Sequence, residues 1–591
     1  MILRKWLLII SGGMVLLAFL PLPLLTCSTT LAVAAPCHQR SITIVSLMPN
    51  IPQPYHMRNW KKVSRKFYAL LLNQHARGRF LPLIHIMRNA RHQPTAFIIP
   101  AYVSHVPDTK STAQAFTEMG AVWGATLIGR NMSTGSIDYV KLLDNFFVPK
   151  IGHGLFGNWF GSAAGLQKTG WYTLFPDITA TAISARYSEE KAFNDMCRAT
   201  ADTWAAAVPH FKKSDGRYNF NDRGFDFSTM RPVYDGRWCE PDMSAGIAWL
   251  EYMAWCRWHD VTYLRAAKAC IQYLTELPPA DNPSFEVETP FGTLAAVRMN
   301  AELGMKYPIH KFLYWCFSHY NANARSTWAV EAARWGGKDV DGLIGCINCA
   351  PRRTWGNGGN AYFMETLTQL WALAPIPRYD QRYAVVIGKW ILNAANASRL
   401  FYGKFHSLKH QSDPYWRLGQ SLVPYEELKY RRDNPGQPLI ATGDNKAFLD
   451  PQCPVFNKGK NATNYGLYGG VYVGVLGALV AKTNVKYILQ INLTATDTLA
   501  PLGYPTFLLY NPYQGVKIVK LNVGPRKLNL YNTITGTFII RNISGTASIP
   551  VPGDSAVVLV YTPINGKVSY RSHETLVNGQ VIDYLHGKNG F

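Results

Sequence analysis

The chain contains the stretch Gly236-Arg-Trp-Cys-Glu-Pro-Asp-Met243, which leads directly into Ser244-Ala-Gly-Ile-Ala-Trp-Leu-Glu-Tyr-Met-Ala-Trp-Cys-Arg-Trp258. In the second part, apolar residues recur at steps of three and four at Ile247, Leu250 and Ala254. This spacing predicts a helix with one buried face. The first part is a short loop that brings acidic and aromatic residues to the start of that helix. The loop and the helix together therefore indicate a helical protein whose loops hold the candidate functional residues.

Helical periodicity of this kind dominates from about residue 178 to 483, and the connections are rich in Gly, Trp, Asp and Asn. Helical hairpins with alternating short and long connections predict an (α/α)6 toroid, with its site at the end where the long loops gather. Two further helices are predicted near the N-terminus, at Trp60–Asn73 and Ala113–Leu127, after a β-like run at Ser41–Leu47. The helices predicted in the toroid cover roughly 189–208, 243–258, 261–277, 292–303, 308–320, 325–335, 360–373, 380–402 and 464–482.

The pattern changes after about residue 486 to short β-rich runs, such as Ala556-Val-Val-Leu-Val-Tyr561, separated by Gly and Pro. Runs spaced about ten residues apart predict an antiparallel β-sandwich. The expected fold is therefore mainly α with a β domain. Its predicted parts are a leader at 1–34, a mixed segment at 35–150 packed on the toroid, the toroid at 151–484 and the β-sandwich at 485–591.

The N-terminus has the features of a secretion signal. Arg4 and Lys5 are followed by an apolar run from Trp6 to Leu25 and by Ala32-Val-Ala34, which fits a cleavage site. A retained membrane anchor is the alternative, because the apolar run is nearly long enough to span a bilayer. Prolines near the end of the run favour cleavage, so we expect a secreted or cell-envelope protein with no membrane segment after cleavage.

The chain has ten cysteines, and cleavage after Ala34 would leave nine, an odd number that argues against a full disulfide framework. Cys346-Ile-Asn-Cys349 is a single CxxC without a second CxxC or a close His pair. A local disulfide is therefore favoured over a zinc site, and no metal or cofactor is expected.

The net charge is +23, from 60 Lys and Arg against 37 Asp and Glu, and it is dispersed along the chain. No nucleic-acid motif is present, so nucleic acid is not expected as a partner. An acidic polysaccharide or an anionic envelope fits better, although a generic basic surface explains the charge equally well. The 17 Trp and 32 Tyr fit either a carbohydrate-handling surface or a large aromatic core.

The candidate site residues lie in three loops that combine acids with aromatics. Glu240 and Asp242 lie two residues apart, so one is expected to face a cleft while the other caps the following helix. Aromatic faces stack on sugars, and carboxylates transfer protons. Asp-Gly and Thr-Gly-Asp are also ordinary turn sequences. The predicted cleft is lined by Trp238, Glu240, Asp242, Trp335, Asp341, Glu426 and Asp444, with Trp171 and Tyr425 as further sugar-binding residues and with Asp177, Asp226 and Glu365 as weaker candidates.

Three further motifs help to identify a family that the chain resembles. They are Arg298-Met-Asn-Ala-Glu-Leu-Gly304, Ala441-Thr-Gly-Asp444 and Leu467-Tyr-Gly-Gly-Val-Tyr-Val-Gly474. With these motifs and this order of parts, the chain resembles the six-hairpin glycosidase superfamily, and more narrowly a group of secreted bacterial proteins within it. The superfamily comprises glycoside hydrolases and related lyases with an (α/α)6 toroid and an appended β-sandwich. The resemblance spans roughly 60–585 and implies this fold and general chemistry, without assigning catalytic positions.

We therefore expect a secreted glycoside hydrolase that cleaves a polysaccharide or oligosaccharide by carboxylate acid/base catalysis, with Asp341 and Glu240 as leading proton donors. A polysaccharide lyase acting on uronates is the enzymatic alternative, and a non-catalytic glycan-binding surface protein is the other. The sequence contains no Walker loop, Rossmann fingerprint, GxSxG elbow or HExxH helix. Nucleotide-binding, serine-hydrolase and zinc-protease functions are therefore disfavoured.

Overall fold

A computed structural model describes residues 37–88, 93–103, 114–159, 169–234, 236, 239–318, 328–346, 358–431, 439–442, 465–500 and 503–585. The predicted leader lies outside these residues, as do Trp238, Cys349 and Asp444. None of the helices in the described ranges has the length and apolar character needed to cross a membrane.

The helices of the described chain are named in chain order. They are α1 (Thr43–Leu47), α2 (Trp60–Leu71), α3 (Ala115–Leu127), α4 (Tyr139–Leu142), α5 (Gly170–Ser184), α6 (Lys191–Ala207), α7 (Met243–Trp258), α8 (Val261–Glu276), α9 (Thr289–Leu303), α10 (Ile309–Phe317), α11 (Phe363–Leu373), α12 (Ile376–Tyr379), α13 (Ala384–Ala397), α14 (Gly419–Leu422), α15 (Leu467–Gly470) and α16 (Gly474–Leu479).

A closed ring of helices forms the centre of the molecule. Its members in the described chain are α3, α5, α7, α9, α11 and the consecutive short helices α15 and α16, and each packs on the next. The last member packs back on α3, which closes the ring. Helices α6, α8, α10 and α13 lie outside it, and α2 covers the seam between α16 and α3. This is the expected toroid.

The seam of the ring depends on two glycines. A Cβ atom at Gly474 would lie 2.0 Å from the backbone oxygen of Gly124. The Gly474 amide donates to the Tyr68 hydroxyl at 3.0 Å, and that hydroxyl donates to the Val471 carbonyl at 2.5 Å. Only residues without a side chain allow α3 and α16 to approach this closely.

Aromatic side chains fill the interior of the ring. The Trp371 ring lies 5.1 Å from the rings of Trp123 and Phe291 and 6.3–6.4 Å from those of Phe175 and Trp249. We call these five residues the aromatic core. The ring is therefore packed rather than hollow, and α7 is buried on nearly all sides through Ala254, where the sequence predicts one buried face. Neighbours on both flanks and α8 behind it account for the difference.

Several local predictions need correction. The β-like run at 41–47 forms α1, and α5 begins at Gly170 inside a region with loop composition, with Pro176 in its interior. The helix predicted at 325–335 is replaced, in its described part, by short strands that end in a Gly336-Gly337 turn with positive φ at both glycines. Because α3 belongs to the ring, the predicted boundary at residue 151 falls inside the toroid.

The strands form antiparallel sheets. Before residue 480 they are β1 (His85–Arg88), β2 (Thr95–Ile98), β3 (Phe147–Val148), β4 (Leu155–Phe156), β5 (Gly224–Asp226), β6 (Arg231–Val233), β7 (Ala329–Val330), β8 (Arg334–Trp335), β9 (Lys338–Asp339), β10 (Ile344–Cys346), β11 (Gly358–Tyr362), β12 (Glu427–Arg431) and β13 (Ile440–Thr442). The order β13-β12-β11-β10-β7 makes a five-stranded sheet, whose strand β11 leads directly into α11. This sheet places Tyr362 and Glu427 in register as neighbours.

The C-terminal domain contains β14 (Val480–Lys482), β15 (Leu489–Asn492), β16 (Thr506–Asn511), β17 (Lys517–Asn532), β18 (Thr537–Val551), β19 (Ser555–Pro563), β20 (Val568–Arg571), β21 (Glu574–Val577) and β22 (Gln580–Asp583). A six-stranded sheet of order β14-β15-β16-β19-β17-β18 packs against the three-stranded sheet β20-β21-β22. Their shared core includes Tyr531, Val560, Val577 and Ile582. The predicted change to antiparallel β structure is confirmed.

A buried ionic network joins the toroid to the β domain. Arg298 on α9 donates to the Thr498 carbonyl at 2.7 Å and lies 3.7 Å from Asp497. Arg378 also pairs with Asp497, and the Tyr379 hydroxyl donates to the same carboxylate at 2.8 Å. Because these charges are buried, each depends on the others for compensation.

Candidate functional site

The first turns of the ring helices meet at one end of the toroid. The Phe116 ring at the start of α3 lies 5.2 Å from that of Trp171 and 5.6 Å from that of Tyr172 at the start of α5. It also lies 5.5 Å from the ring of Tyr468 in α15. We call this end the ring mouth. The described residues just before α7 reach this end, since Glu240 accepts from the Trp171 amide and Asp242 accepts from the Glu286 amide.

Three acids and three tyrosines meet at the ring mouth. The charge of Glu365 interacts with those of Glu286 and Glu426, and Tyr468 interacts with Glu286 and Glu365. The Tyr102 hydroxyl donates to Glu426 Oε1 at 2.8 Å. The group, which we call the mouth cluster, consists of Glu286, Glu365, Glu426, Tyr102, Tyr172 and Tyr468.

The residues of the mouth cluster differ in how much of their surface is exposed. Tyr102, Tyr172, Tyr468 and Glu426 are half-buried, so each keeps accessible surface. Glu365, in the first turn of α11, is 7% exposed. The half-buried tyrosines and Glu426 therefore keep surface beside the recessed carboxyl group of Glu365.

The two best-defined acids of the cluster lie in different environments. Burial, together with the negative charges of Glu286 and Glu426, raises the pKa of Glu365 to about 8. Glu365 therefore holds a proton at neutral pH. Glu426 instead accepts a hydrogen bond from Tyr102, a contact that stabilises a carboxylate. One group is suited to donate a proton and the other to carry a negative charge.

The loop that holds Glu240 and Asp242 ties neighbouring parts of the mouth together. Glu240 Oε2 accepts from the Trp171 amide at 2.9 Å. Asp242 Oδ2 accepts from the amides of Phe285 and Glu286 at 3.0 and 2.8 Å. Asp242 occupies the N-cap position of α7 but makes no side-chain capping bond, contrary to the expectation from sequence. The amides of the adjacent loop take its place as donors.

Glu288 lies beneath this loop at the N-cap of α9 and is fully buried. Within the described chain, neither of its carboxyl oxygens has a hydrogen-bond partner. Burial raises its pKa well above the ordinary value, and the charges of Asp242 and Glu240 act in the same direction. Burial likewise raises the pKa of Asp242 to about 7. These acids form a layer behind the mouth cluster, away from solvent.

The three described aromatic residues predicted to bind sugar are buried. Trp171 and Trp335 are 3% and 2% exposed, and Tyr425 has no exposed surface. Trp335 is stacked on Tyr430, and Tyr425 on Tyr465. Since these rings have no open face, the structure favours packing roles for them, in contrast to the sequence-based expectation.

The predicted acids are only partly brought together. Glu240, Asp242 and Glu426 lie at the ring mouth, whereas the charge neighbours of Asp341 are Asp339 and Lys389 on α13. Burial raises the pKa of Asp341 to about 7, but its environment is the outer layer. Trp238 and Asp444 are outside the described residues, and the catalytic roles assigned to all these acids stay predictions.

Sequence reasoning missed Glu286, Tyr102 and Tyr468 and ranked Glu365 low. A signal for Glu286 was present, because Asn282-Pro-Ser-Phe-Glu-Val-Glu288 places two acids and an aromatic residue before a helix, as in 236–243. Tyr102 has no comparable local pattern. Its contact with Glu426 joins residues 324 positions apart.

The described ranges contain no group of three or more His, Cys, Asp or Glu side chains arranged to hold a metal ion. The carboxyl and hydroxyl groups of the mouth cluster can transfer protons and bind sugar hydroxyls.

No protein-family model and no curated protein matches the chain. Solved structures that it resembles include a family 76 glycoside hydrolase from a bovine Bacteroides thetaiotaomicron strain, with 11% identity, 71% of this chain and 77% of that chain covered, and a TM-score of 0.36. Another is a GH127 β-L-arabinofuranosidase from Geobacillus stearothermophilus T6, with 10% identity, coverage of 88% and 80%, and a TM-score of 0.30. At these TM-scores the likeness transfers no function. The six-membered helical ring and the β domain of the described chain are the features that agree with the six-hairpin resemblance.

Proposed function

We propose that this protein is an exported glycoside hydrolase whose active site is the mouth cluster. The observation that supports this most directly is the meeting of Glu286, Glu365 and Glu426 with three half-buried tyrosines at one end of the ring. Hydrolysis of a glycosidic bond needs a proton donor and a second carboxylate on the other side of the bond. Export rests on the leader-like pattern of the first 34 residues.

In this proposal Glu365 donates a proton to the glycosidic oxygen. Its buried, acid-rich surroundings keep it protonated at neutral pH, which a general acid requires. Glu426, held by Tyr102, activates a water molecule or attacks the sugar carbon. Glu286 interacts electrostatically with the layer formed by Asp242 and Glu288 as well as with Glu365. It therefore helps to keep Glu365 protonated.

The charge of the site favours a neutral glycan. The residues whose charges act on Glu365 are acids, and those that act on Tyr468 are acids and tyrosines. A uronate brought to the mouth cluster would be repelled by its carboxylates. Among the described residues, the buried cation Lys429 is already paired with Glu427 at 3.5 Å. This disfavours the lyase alternative, which needs a further cation to neutralise the uronate.

The decisive experiment is turnover on a panel of neutral and acidic polysaccharides. We expect new reducing ends without ultraviolet-absorbing products, and loss of about 10²–10⁴-fold in kcat for Glu365→Gln and Glu426→Gln. Glu189→Gln, on an exposed acid between α5 and α6, is the matched control. Unsaturated, ultraviolet-absorbing products would decide for a lyase. Turnover that is unchanged in both site variants would refute the assignment of the mouth cluster.

A further inference from the structure

A cleft of about 410 Å³ opens beside the ring mouth, between the end of α8 and the loops that precede α7 and α9. Its floor is apolar and consists of Pro241, Pro283, Tyr273 and Leu277. The first three are buried and Leu277 is half-buried. The volume lies within the range typical of small-molecule sites.

Exposed polar groups line the rim of the cleft. Asn219 and Asn221 provide side-chain amides, and Asp281 provides a carboxylate. An apolar floor below a ring of amides and acids suits a sugar, whose C–H face packs on apolar surface while its hydroxyls exchange hydrogen bonds at the edge.

The charges around the cleft nearly balance. Its two cations are already paired, since Arg217 lies 2.9 Å from Asp215 and Lys213 lies 4.0 Å from Asp222. The acids at the rim oppose an anionic ligand. A neutral ligand is therefore favoured over an acidic polysaccharide, despite the net charge of +23 of the whole chain.

The floor is built from the same loops that carry the acids of the site. Pro241 lies between Glu240, which binds the start of α5, and Asp242, which holds the Glu286 amide. Pro283 begins the segment that leads to Glu286. The two loops thus lie between the cleft and the ring mouth. Pro283 in the cleft is three residues from Glu286 in the mouth cluster, a separation of at most about 11 Å along an extended chain.

We propose that this cleft is a second saccharide-binding site, which holds a neutral segment of the glycan whose cleaved bond lies at the mouth cluster. The inference rests on the proposed glycosidase function and adds that the substrate is a neutral chain longer than the mouth alone accommodates. A short glycan would occupy only the mouth.

The test uses the full chain carrying Glu426→Gln, titrated with short and long neutral oligosaccharides of the gluco-, manno-, xylo- and arabino-series. Asn221→Trp fills the cleft from an exposed position, and Ser214→Trp in the same loop, outside the lining, is the matched control. We expect Asn221→Trp to weaken binding of the long oligosaccharide about tenfold, which corresponds to about 1.4 kcal/mol. Ser214→Trp should leave that affinity unchanged, and a disaccharide should bind all three proteins alike.

Asp281→Ala removes a rim acid without adding bulk and repeats the test if Asn221→Trp fails to fold. If the proteins with and without the cleft substitution bind every oligosaccharide with equal affinity, the proposal of a second site is wrong. It is also wrong if the protein binds none of the neutral series. If Asn221→Trp weakens binding but the protein that retains Glu426 shows no hydrolysis, the saccharide-binding cleft is supported and the proposed hydrolysis is wrong. If the protein that retains Glu426 hydrolyses the glycan but Asn221→Trp does not change binding, the hydrolysis is supported and the second site is wrong.

Discussion

Replacing Glu365 by Gln should change how the stability of the protein depends on pH. The side chain is 7% exposed and lies at the start of α11 beside other acids. Burial raises its pKa from the ordinary 4.5 to about 8. Between these values the folded protein keeps a proton that the unfolded chain has lost. The stability that this proton contributes is therefore complete below pH 4.5 and is lost as the pH rises through about 8.

The size of the effect follows from the two pKa values. Each pH unit between them corresponds to about 1.4 kcal/mol, so the whole interval corresponds to about 5 kcal/mol. This is a ceiling, because water entering the ring mouth would lower the cost of ionisation. A glutamine has nearly the same shape and no charge. The Glu365→Gln variant should thus match the wild type near pH 4.5 and exceed it in free energy of unfolding near pH 8.

Denaturant unfolding of wild type and variant at a series of pH values measures this difference. Buried acids that do not interact with Glu365 contribute the same amount to both proteins and cancel in the comparison, whereas Glu286 and Glu426, which do interact with it, add a smaller change of their own. Glu189→Gln, on an exposed acid, should leave the pH dependence unchanged. If Glu365→Gln and wild type show parallel curves, Glu365 is ionised at neutral pH and the argument for it as proton donor fails.

Two further predictions concern stability. Trp371→Ala should lower the free energy of unfolding by about 3–5 kcal/mol because Trp371 contacts four rings of the aromatic core, whereas Tyr415→Ala, at a residue 77% exposed, should cost under about 0.5 kcal/mol. Equal losses for the two variants would contradict a packed ring interior. Asp497→Asn should lower the free energy of unfolding by about 3–5 kcal/mol, because it leaves the buried charges of Arg298 and Arg378 with less compensation. Urea unfolding measures this loss, with Asp195→Asn at an exposed acid as the control. A loss no greater than that of the control would show that the network does not hold the β domain.

The helical part of the fold could be predicted because its signal is local. The helix predicted at 243–258 has those bounds in the structure, and the one predicted at 261–277 ends one residue earlier, at Glu276. Helix α5 was missed because Gly170 and Pro176 are poor helix formers. All residues of α5 except Tyr172 are buried, and packing outweighs that preference.

The site was less predictable because it is assembled from distant segments. Glu286 precedes α9, Glu365 lies in the first turn of α11 and Glu426 precedes β12, and nothing near each acid indicates the other two. Aromatic residues were a poor guide for a different reason. A Trp in a Gly-rich loop suits sugar stacking, but the Trp335 ring packs against Gly359, where a Cβ atom would lie 2.5 Å from it. Local sequence does not distinguish an exposed ring from one covered by a neighbouring strand.

The glycine seam of the ring also has a consequence for biosynthesis. The hydrogen bond from Gly474 to Tyr68 joins residues 406 positions apart. At ribosomal rates of about 5–20 residues per second, the second partner is made about 20–80 s after the first. During that interval α2 and α3 lack the helix that covers them, and their apolar faces need a chaperone or must wait unfolded. The ring cannot close before its last helix, α16, has been made, and a chain that stays open until then suits the export that we propose.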